Sequence, residues 1–382
     1  MEPLRDDDPQ TIGGYTLVCR IGSGGMGQVF LGESAAGQQV AVKVIKPSVL
    51  DEDTRTRFLH EVDSLKTVYG PFVAAFVAAD AQADAPWLAV EYVPGPDLRS
   101  FVTEHGPLGA AETASLGALL AEGLATVHEA GLLHRDLKPQ NILLASYGPK
   151  VIDFGLAVLA ERRSFLTATG YVVGSILCMP PEQARGEHQL DRAADVYALG
   201  AVLLYAATGH YPYTGPTWQA IALKIEDPAT CPDLTGLAPE LRPLITDMLR
   251  LDPADRPTLA QVTAALVGVM NGLGLTARQA KRRLTDRIPA MVVPQLPTTA
   301  PAYTPTLVDA AAAEDEESPA GQEAAASPEA DAAESAVTPE EGPSLPAGGT
   351  APRGTSGAGA RLSAPLRIAE QIRAAYAHDA RF

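Results

Sequence analysis

Cysteine is scarce in this 382-residue chain, and the three present, Cys19, Cys178 and Cys231, show no metal-binding spacing. That argues against a disulfide framework or a structural zinc site, and fits a reducing cytoplasmic setting. Nowhere do eighteen apolar residues run consecutively, and the strongest run, Val196 to Ala207, is too short for a membrane-spanning helix. The opening residues, Met-Glu-Pro-Leu-Arg-Asp-Asp-Asp, lack the apolar core of a secretory signal. Aromatic residues vanish between Tyr303 and Tyr376, and no Lys or Arg occurs from Asp309 to Glu341, where eleven residues are acidic. Such a stretch buries too little apolar surface to offset the entropy of ordering, so a disordered acidic tail is expected. It carries most of the formal net charge of −17, a balance that argues against non-specific nucleic-acid binding.

Against these absences stands a dense set of phosphoryl-transfer groups. Residues 134–141 read His-Arg-Asp-Leu-Lys-Pro-Gln-Asn, and Asp153-Phe154-Gly155 begins twelve residues later. Asp136 can orient a hydroxyl nucleophile, Lys138 can neutralise a moving phosphoryl group, and Asn141 and Asp153 can hold magnesium. Upstream, Gly22, Gly24 and Gly27 are spaced as GxGxxG, a weak signal alone. A dinucleotide fingerprint would run from strand into helix; here β-rich stretches lie on both sides, over 15–21, 28–31 and 39–45. That context suits a hairpin whose backbone N–H groups lie over phosphates. Val40-Ala41-Val42-Lys43 alternates like a half-buried strand. The run 53–68 reads as a helix with Phe58, Val62 and Leu65 on one face and Glu61 beside it, where it could pair with Lys43. Residues 87–93 read as a buried strand ending at Pro94-Gly95-Pro96.

Together these motifs resemble those of protein kinases, and most closely the soluble bacterial Hanks-type serine/threonine kinases; the 22 arginines against 7 lysines suggest an actinobacterial source. The resemblance implies an α+β bilobal fold, with a small β-rich N-lobe carrying one long helix and a larger helical C-lobe, followed by the disordered acidic tail. It implies ATP with Mg2+, or Mn2+ as an alternative, and protein substrates that include a second copy of the chain. ATP would lie against Ile21, Gly22, Gly24, Gly27, Val29, Ala41, Lys43, Glu91, Val93 and Leu143, with Val90 as gatekeeper and Asp97 in reach of the ribose. Asp136, Lys138, Lys43 and Glu61 would serve catalysis, and Asn141 and Asp153 the metal. Glu182 of Met-Pro-Pro-Glu would pair with Arg256, and Asp195 would brace the catalytic-loop backbone. Arg135, just before Asp136, goes in the family with control by phosphorylation, for which Thr167 and Thr169 have the family's spacing. Ser175, Cys178 and Pro180 depart from the usual Thr, Tyr and Ala or Ser, changes that bear on peptide docking. Lys138, two residues after Asp136, matches the serine/threonine rather than the tyrosine enzymes.

The expected organisation is an N-terminal extension over 1–14 and a kinase domain over 15–270, with lobes of about 15–93 and 94–270. A basic segment over 271–290, an Ala/Pro/Glu-rich linker over 291–360 and a short amphipathic helix over 361–382 follow. Thr258 and Gln261 form a capping-box pattern for the domain's last helix, after which residues 278–287 read as a solvated extension. Two other function classes compete with an active protein kinase. A pseudokinase scaffold recruiting partners through the tail is weighed against by the intact catalytic set. A small-molecule kinase would lack the long segment from Asp153 to Glu182.

Overall fold

A computed structural model of the chain describes residues 1–23, 27–45, 58, 62–154, 176–187 and 189–289, all within one unit, Met1–Tyr303. Gly24, Glu61, Thr167, Thr169 and Ser175 lie outside the described residues.

The first quarter of the chain builds a six-stranded antiparallel sheet from β1 (Thr11–Ile12), β2 (Tyr15–Ser23), β3 (Gly27–Glu33), β4 (Gln39–Ile45), β5 (Phe76–Asp80) and β6 (Trp87–Glu91), in the order β1-β2-β3-β4-β6-β5. Alternation along β4 separates two faces. Val40 and Val42 point into a cluster with Leu17, Phe30, Trp87 and Ala89. The opposite face carries Ala41 and Lys43, in register with Leu31 and Val90, and with Val29 and Leu88, respectively. Directly opposed residues of antiparallel strands share a face, so Val29, Ala41, Lys43 and Val90 line one surface. Phe58, Val62 and Leu65, the expected apolar helix face, are all buried in the main core.

The second part is mostly helical: α1 (Leu98–His105), α2 (Ala110–Glu129), α3 (Pro181–Ala184), α4 (Arg192–Thr208), α5 (Trp218–Glu226), α6 (Arg242–Met248), α7 (Leu259–Gly272) and α8 (Ala277–Asp286). The hairpin of β7 (Ile142–Ala145) and β8 (Gly148–Val151) interrupts them. Helix α4 is apolar almost all round, as befits a central core helix, with nearly every residue from Ala194 to Ala206 buried. Asp191 caps its first turn through the Ala193 N–H, and Gly209 ends it with φ 80°. Among the described residues no single helix is long and apolar enough to cross a membrane.

The capping box at Thr258 and Gln261 forms as expected, yet α7 is not the last helix. A second box, Thr276 with Gln279, starts α8, so the stretch read as a solvated extension is helical and docked. It buries Ala280 and Leu284, while Lys281 and Arg287 lie over the Phe72 and Phe101 rings at 5.5 Å each. Its five basic residues hid a narrow apolar stripe that is enough to seat one helix.

Candidate active site

The loop 134–141 is shaped from behind. Asp195, 1% exposed on α4, accepts the His134 N–H at 2.9 Å and the His128 Nε2 at 2.7 Å on one oxygen. Its other oxygen accepts the Arg135 N–H at 3.0 Å. Burial works against this carboxylate's charge, but the His128 hydrogen bond and the His134 contacts outweigh it and hold its pKa below the usual range. His134, fully buried, meets the Ile152 carbonyl through Nε2 at 3.1 Å and accepts the Asp136 N–H on Nδ1 at 3.3 Å. Gln183 Nε2 donates to the Arg135 carbonyl at 3.1 Å, so both backbone groups of Arg135 are held. Arg135 has φ 62°, and Asp153 has φ 59°. A non-glycine residue there costs about 1–2 kcal/mol, and the Asp195 and Gln183 bonds supply the restraint at Arg135.

That shaping brings the reactive groups together. Lys138 Nζ lies 2.6 Å from Asp136 Oδ2, and Asn141 Nδ2 donates to the Asp136 carbonyl at 2.9 Å, turning its amide oxygen the other way. Lys43 Nζ, from β4, lies 3.0 Å from Asp153 Oδ2. About 40% of the Asp153 side chain is open to solvent. Desolvation there opposes its charge, and the Lys43 ammonium prevails, holding the carboxyl below the usual range. The Asn141 amide oxygen and the Asp153 carboxylate are hard oxygen donors, suited to a hard divalent cation. Among the described residues no cluster of three His, Cys, Asp or Glu could cage a metal alone. A site of one or two side-chain oxygens completed by substrate phosphates fits this set.

At the glycine-rich turn, Gly27 opens β3 directly against β4, where an added Cβ would strike the Val44 carbonyl. Gly95 in the connection after β6 approaches the Leu144 carbonyl just as closely, and the Leu144 N–H reaches the Pro96 carbonyl at 2.9 Å. Those contacts set Val93, buried, beside half-buried Leu143. The Glu91 N–H donates to the Ala75 carbonyl at 2.8 Å. The Glu91 side chain meets Lys150 Nζ at 2.5 Å and the Ala75 N–H at 3.2 Å. Asp97 caps α1 through Ser100, bonding its N–H at 3.0 Å and its hydroxyl at 2.6 Å.

At the far end of the 153–182 segment, Glu182 and Arg256 form a buried two-pronged pair at 2.7 and 2.8 Å. Arg256 also donates to the carbonyls of Arg250, Ala193 and Leu251, which uses all five of its N–H groups. Its guanidinium lies 5.0 Å from the Tyr197 ring centre. Cys178 is buried beside Asp136 and Asp195; burial first, and the Asp136 charge second, push its thiol far above the ordinary value. Such a thiol is chemically quiet.

His128, His134, Lys150 and Gln183 were not singled out from sequence. His128 is one of three buried polar residues on α2, with Thr113 and Ser115, and Gln183 simply follows Glu182; neither has a local signal beyond its neighbours.

Comparison with known proteins adds an independent line. The sequence profile described as "Protein kinase domain" matches residues 15–266. The chain is 46% identical over 267 residues to the probable serine/threonine-protein kinase PkwA of Thermomonospora curvata, covering 70% of this chain and 35% of that protein. It is 42% identical over 277 residues to the serine/threonine-protein kinase AfsK of Streptomyces coelicolor, covering 72% and 34%. A probable serine/threonine-protein kinase of Corynebacterium efficiens is 34% identical over 322 residues, covering 80% and 49%. The chain thus spans about a third to a half of the length of these relatives.

Proposed function

Because this chain belongs to the protein kinase family, whose members use ATP and a divalent metal ion, we propose that it transfers the ATP γ-phosphoryl group to serine and threonine hydroxyls of proteins. The observation that carries this reading is the grouping of Asp136 with Lys138 and Asn141 and of Lys43 with Asp153, with the Lys138 charge acting on Asp153. Asp136 orients the incoming hydroxyl and accepts its proton, and Lys138, 2.6 Å away, balances charge on the group in transit. Lys43 grips the α- and β-phosphates, with Asp153 within ion-pair distance. Asn141 and Asp153 would hold Mg2+, which supplies neutralisation of phosphate charge when bound; Mn2+ is the alternative ion. Val29, Ala41, Val90, Val93 and Leu143 offer apolar surface for the base, and Glu91 and Val93 its backbone partners. Catalysis of this kind is positioning and charge stabilisation, which explains why so many bonds go into fixing one loop.

Control by autophosphorylation at Thr167 and Thr169, read through Arg135, belongs to the same proposal; the two-sided hold on the Arg135 backbone fits a residue that relays segment order to Asp136. A non-catalytic scaffold is disfavoured by the intact set of reactive groups.

The test is incubation of the full chain with radiolabelled ATP, Mg2+ and a generic basic protein, beside Asp136→Asn. Label on serine and threonine, with Thr167 and Thr169 among the self-labelled sites, is expected for the unaltered chain and loss of label for the variant. Absence of label on self and substrate alike overturns the reading, and label surviving Asp136→Asn removes Asp136 from the assigned role.

A further inference from the structure

The residues ahead of β1 lie outside the matched kinase domain, which begins at 15, yet they are tied to it by specific bonds. The Glu2 N–H donates to the Arg20 carbonyl at 2.9 Å, and the Arg20 N–H returns to the Glu2 carbonyl at 2.8 Å. The Leu17 N–H reaches the Gln10 carbonyl at 2.9 Å. Asp8 closes the loop like a clasp. Its Oδ2 accepts Arg20 Nε at 2.6 Å and the Arg5 N–H at 2.8 Å, and its Oδ1 accepts Arg20 Nη2 at 2.5 Å. Only 5% of the Asp8 side chain and 12% of Arg20 remain exposed. Leu4 and Ile12 pack on the cluster that holds Leu17 and Trp87.

All of this converges on β2 just before the glycine-rich turn. On its other edge, the pairing of β2 with β3 shifts register between Leu17 and Cys19, and again between Arg20 and Gly22. A bulge interrupts the ladder and loosens the strand locally. The extension therefore supplies bonds to Arg20 beside the place where β3 supplies them irregularly. Ile21 and Gly22, next in the chain, belong to the surface assigned to ATP.

We propose that residues 1–8 are a positioning strap for nucleotide binding, with Asp8 and Arg20 as its clasp. By holding Arg20 the strap limits the excursions of Ile21 and Gly22, so less order has to be created when the nucleotide enters. Asp8 touches neither substrate nor metal; it acts through β2. The inference rests on the phosphoryl-transfer reading above.

The test uses the full chain with Asp8→Asn, which keeps the shape but not the charge, and Arg20→Lys, which keeps the charge but not the planar fork. Binding of a non-hydrolysable ATP analogue with Mg2+ is measured by calorimetry, beside thermal melts, steady-state kinetics and amide exchange. Expected for Asp8→Asn is a Kd and a KM for ATP raised about five- to tenfold, the scale of one lost charge-assisted pair, with kcat and protein-substrate KM within about twofold. Arg20→Lys falls between, and exchange at Arg20 to Ser23 quickens in both. An unchanged Kd overturns the strap, whether the melting temperature falls or stays. Should Asp8→Asn fail to fold, Arg20→Lys decides by the same criteria. Failure of the unaltered chain to bind nucleotide overturns the kinase reading itself, a result distinct from failure of the strap.

Discussion

Replacing Asp195 by Asn tests whether the catalytic loop is held by three bonds to one buried carboxylate. One oxygen takes two donors, His128 Nε2 at 2.7 Å and the His134 N–H at 2.9 Å, and the other takes the Arg135 N–H at 3.0 Å. An amide has a single acceptor. If its oxygen faces His128 and His134, its NH2 group faces the Arg135 N–H, which is left without a partner. A buried orphan donor costs about 1–3 kcal/mol, and each of the two remaining bonds loses about 1 kcal/mol with its charge assistance. Relief of the carboxylate's own desolvation offsets part of this, leaving a loss of roughly 2–4 kcal/mol. Urea unfolding of both proteins reads that loss as a lower midpoint at unchanged slope. Released from Asp195, Arg135 relaxes from φ 62°, and Asp136 moves with it. We therefore expect kcat to fall by more than about tenfold under conditions where the variant is folded, since small misplacement of a positioned group is expensive. The pH dependence supplies a second readout. Asp195 titrates lower folded than unfolded, so its contribution is complete above the unfolded carboxylate value and disappears as pH falls through the lower folded one. The unaltered chain should lose stability on acidification below about pH 4, and Asp195→Asn should show a shallower decline there. A stability change under about 0.5 kcal/mol with normal turnover would refute the account of the loop.

Two further outcomes follow from buried features. Arg256→Ala strips Glu182 of its two-pronged partner and orphans the carbonyls of Arg250, Ala193 and Leu251, so a loss of about 3–5 kcal/mol is expected by thermal or chemical unfolding. Leu284→Ala tests the docking of α8: as a fully buried side chain it should cost about 2–4 kcal/mol, whereas a solvated extension would show almost no change.

The parts legible from the residues alone share one property, closeness along the chain; the distant Glu182–Arg256 pair and the Asp195 brace came through the family resemblance. Asp136, Lys138 and Asn141 fall within six residues, and a transfer site needs them at fixed offsets, so the roles proposed for them need no coordinates. The alternation of Val40, Ala41, Val42 and Lys43 likewise announces which face carries the lysine. The capping box at Thr258 worked for the same reason, being a four-residue device. The identical device at Thr276 was passed over because the helix behind it buries only Ala280 and Leu284 among many charges. The proposed pair of Lys43 with Glu61 and the two threonines fall outside the described residues, and they stand as proposals.

The family resemblance names Asp195 as a brace and pairs Glu182 with Arg256; what stayed hidden are His128, Gln183 and Lys150, and the separations explain why. Asp195 reaches His128 across 67 positions and Gln183 reaches Arg135 across 48. Lys150 reaches Glu91 across 59. No window of sequence contains both ends of such a bond, and a buried His or Lys alone reads as an ordinary core or surface residue. The bonds to Arg135 are also ones the proposed chemistry would depend on, because Arg135 adopts a backbone conformation that local propensity opposes. A short motif can name the reacting atoms, but a strained loop holds its geometry only when distant elements restrain it. The Asp8 clasp on Arg20 follows the same logic at the other end of the cleft: the restraint on the turn comes from residues the turn itself does not contain.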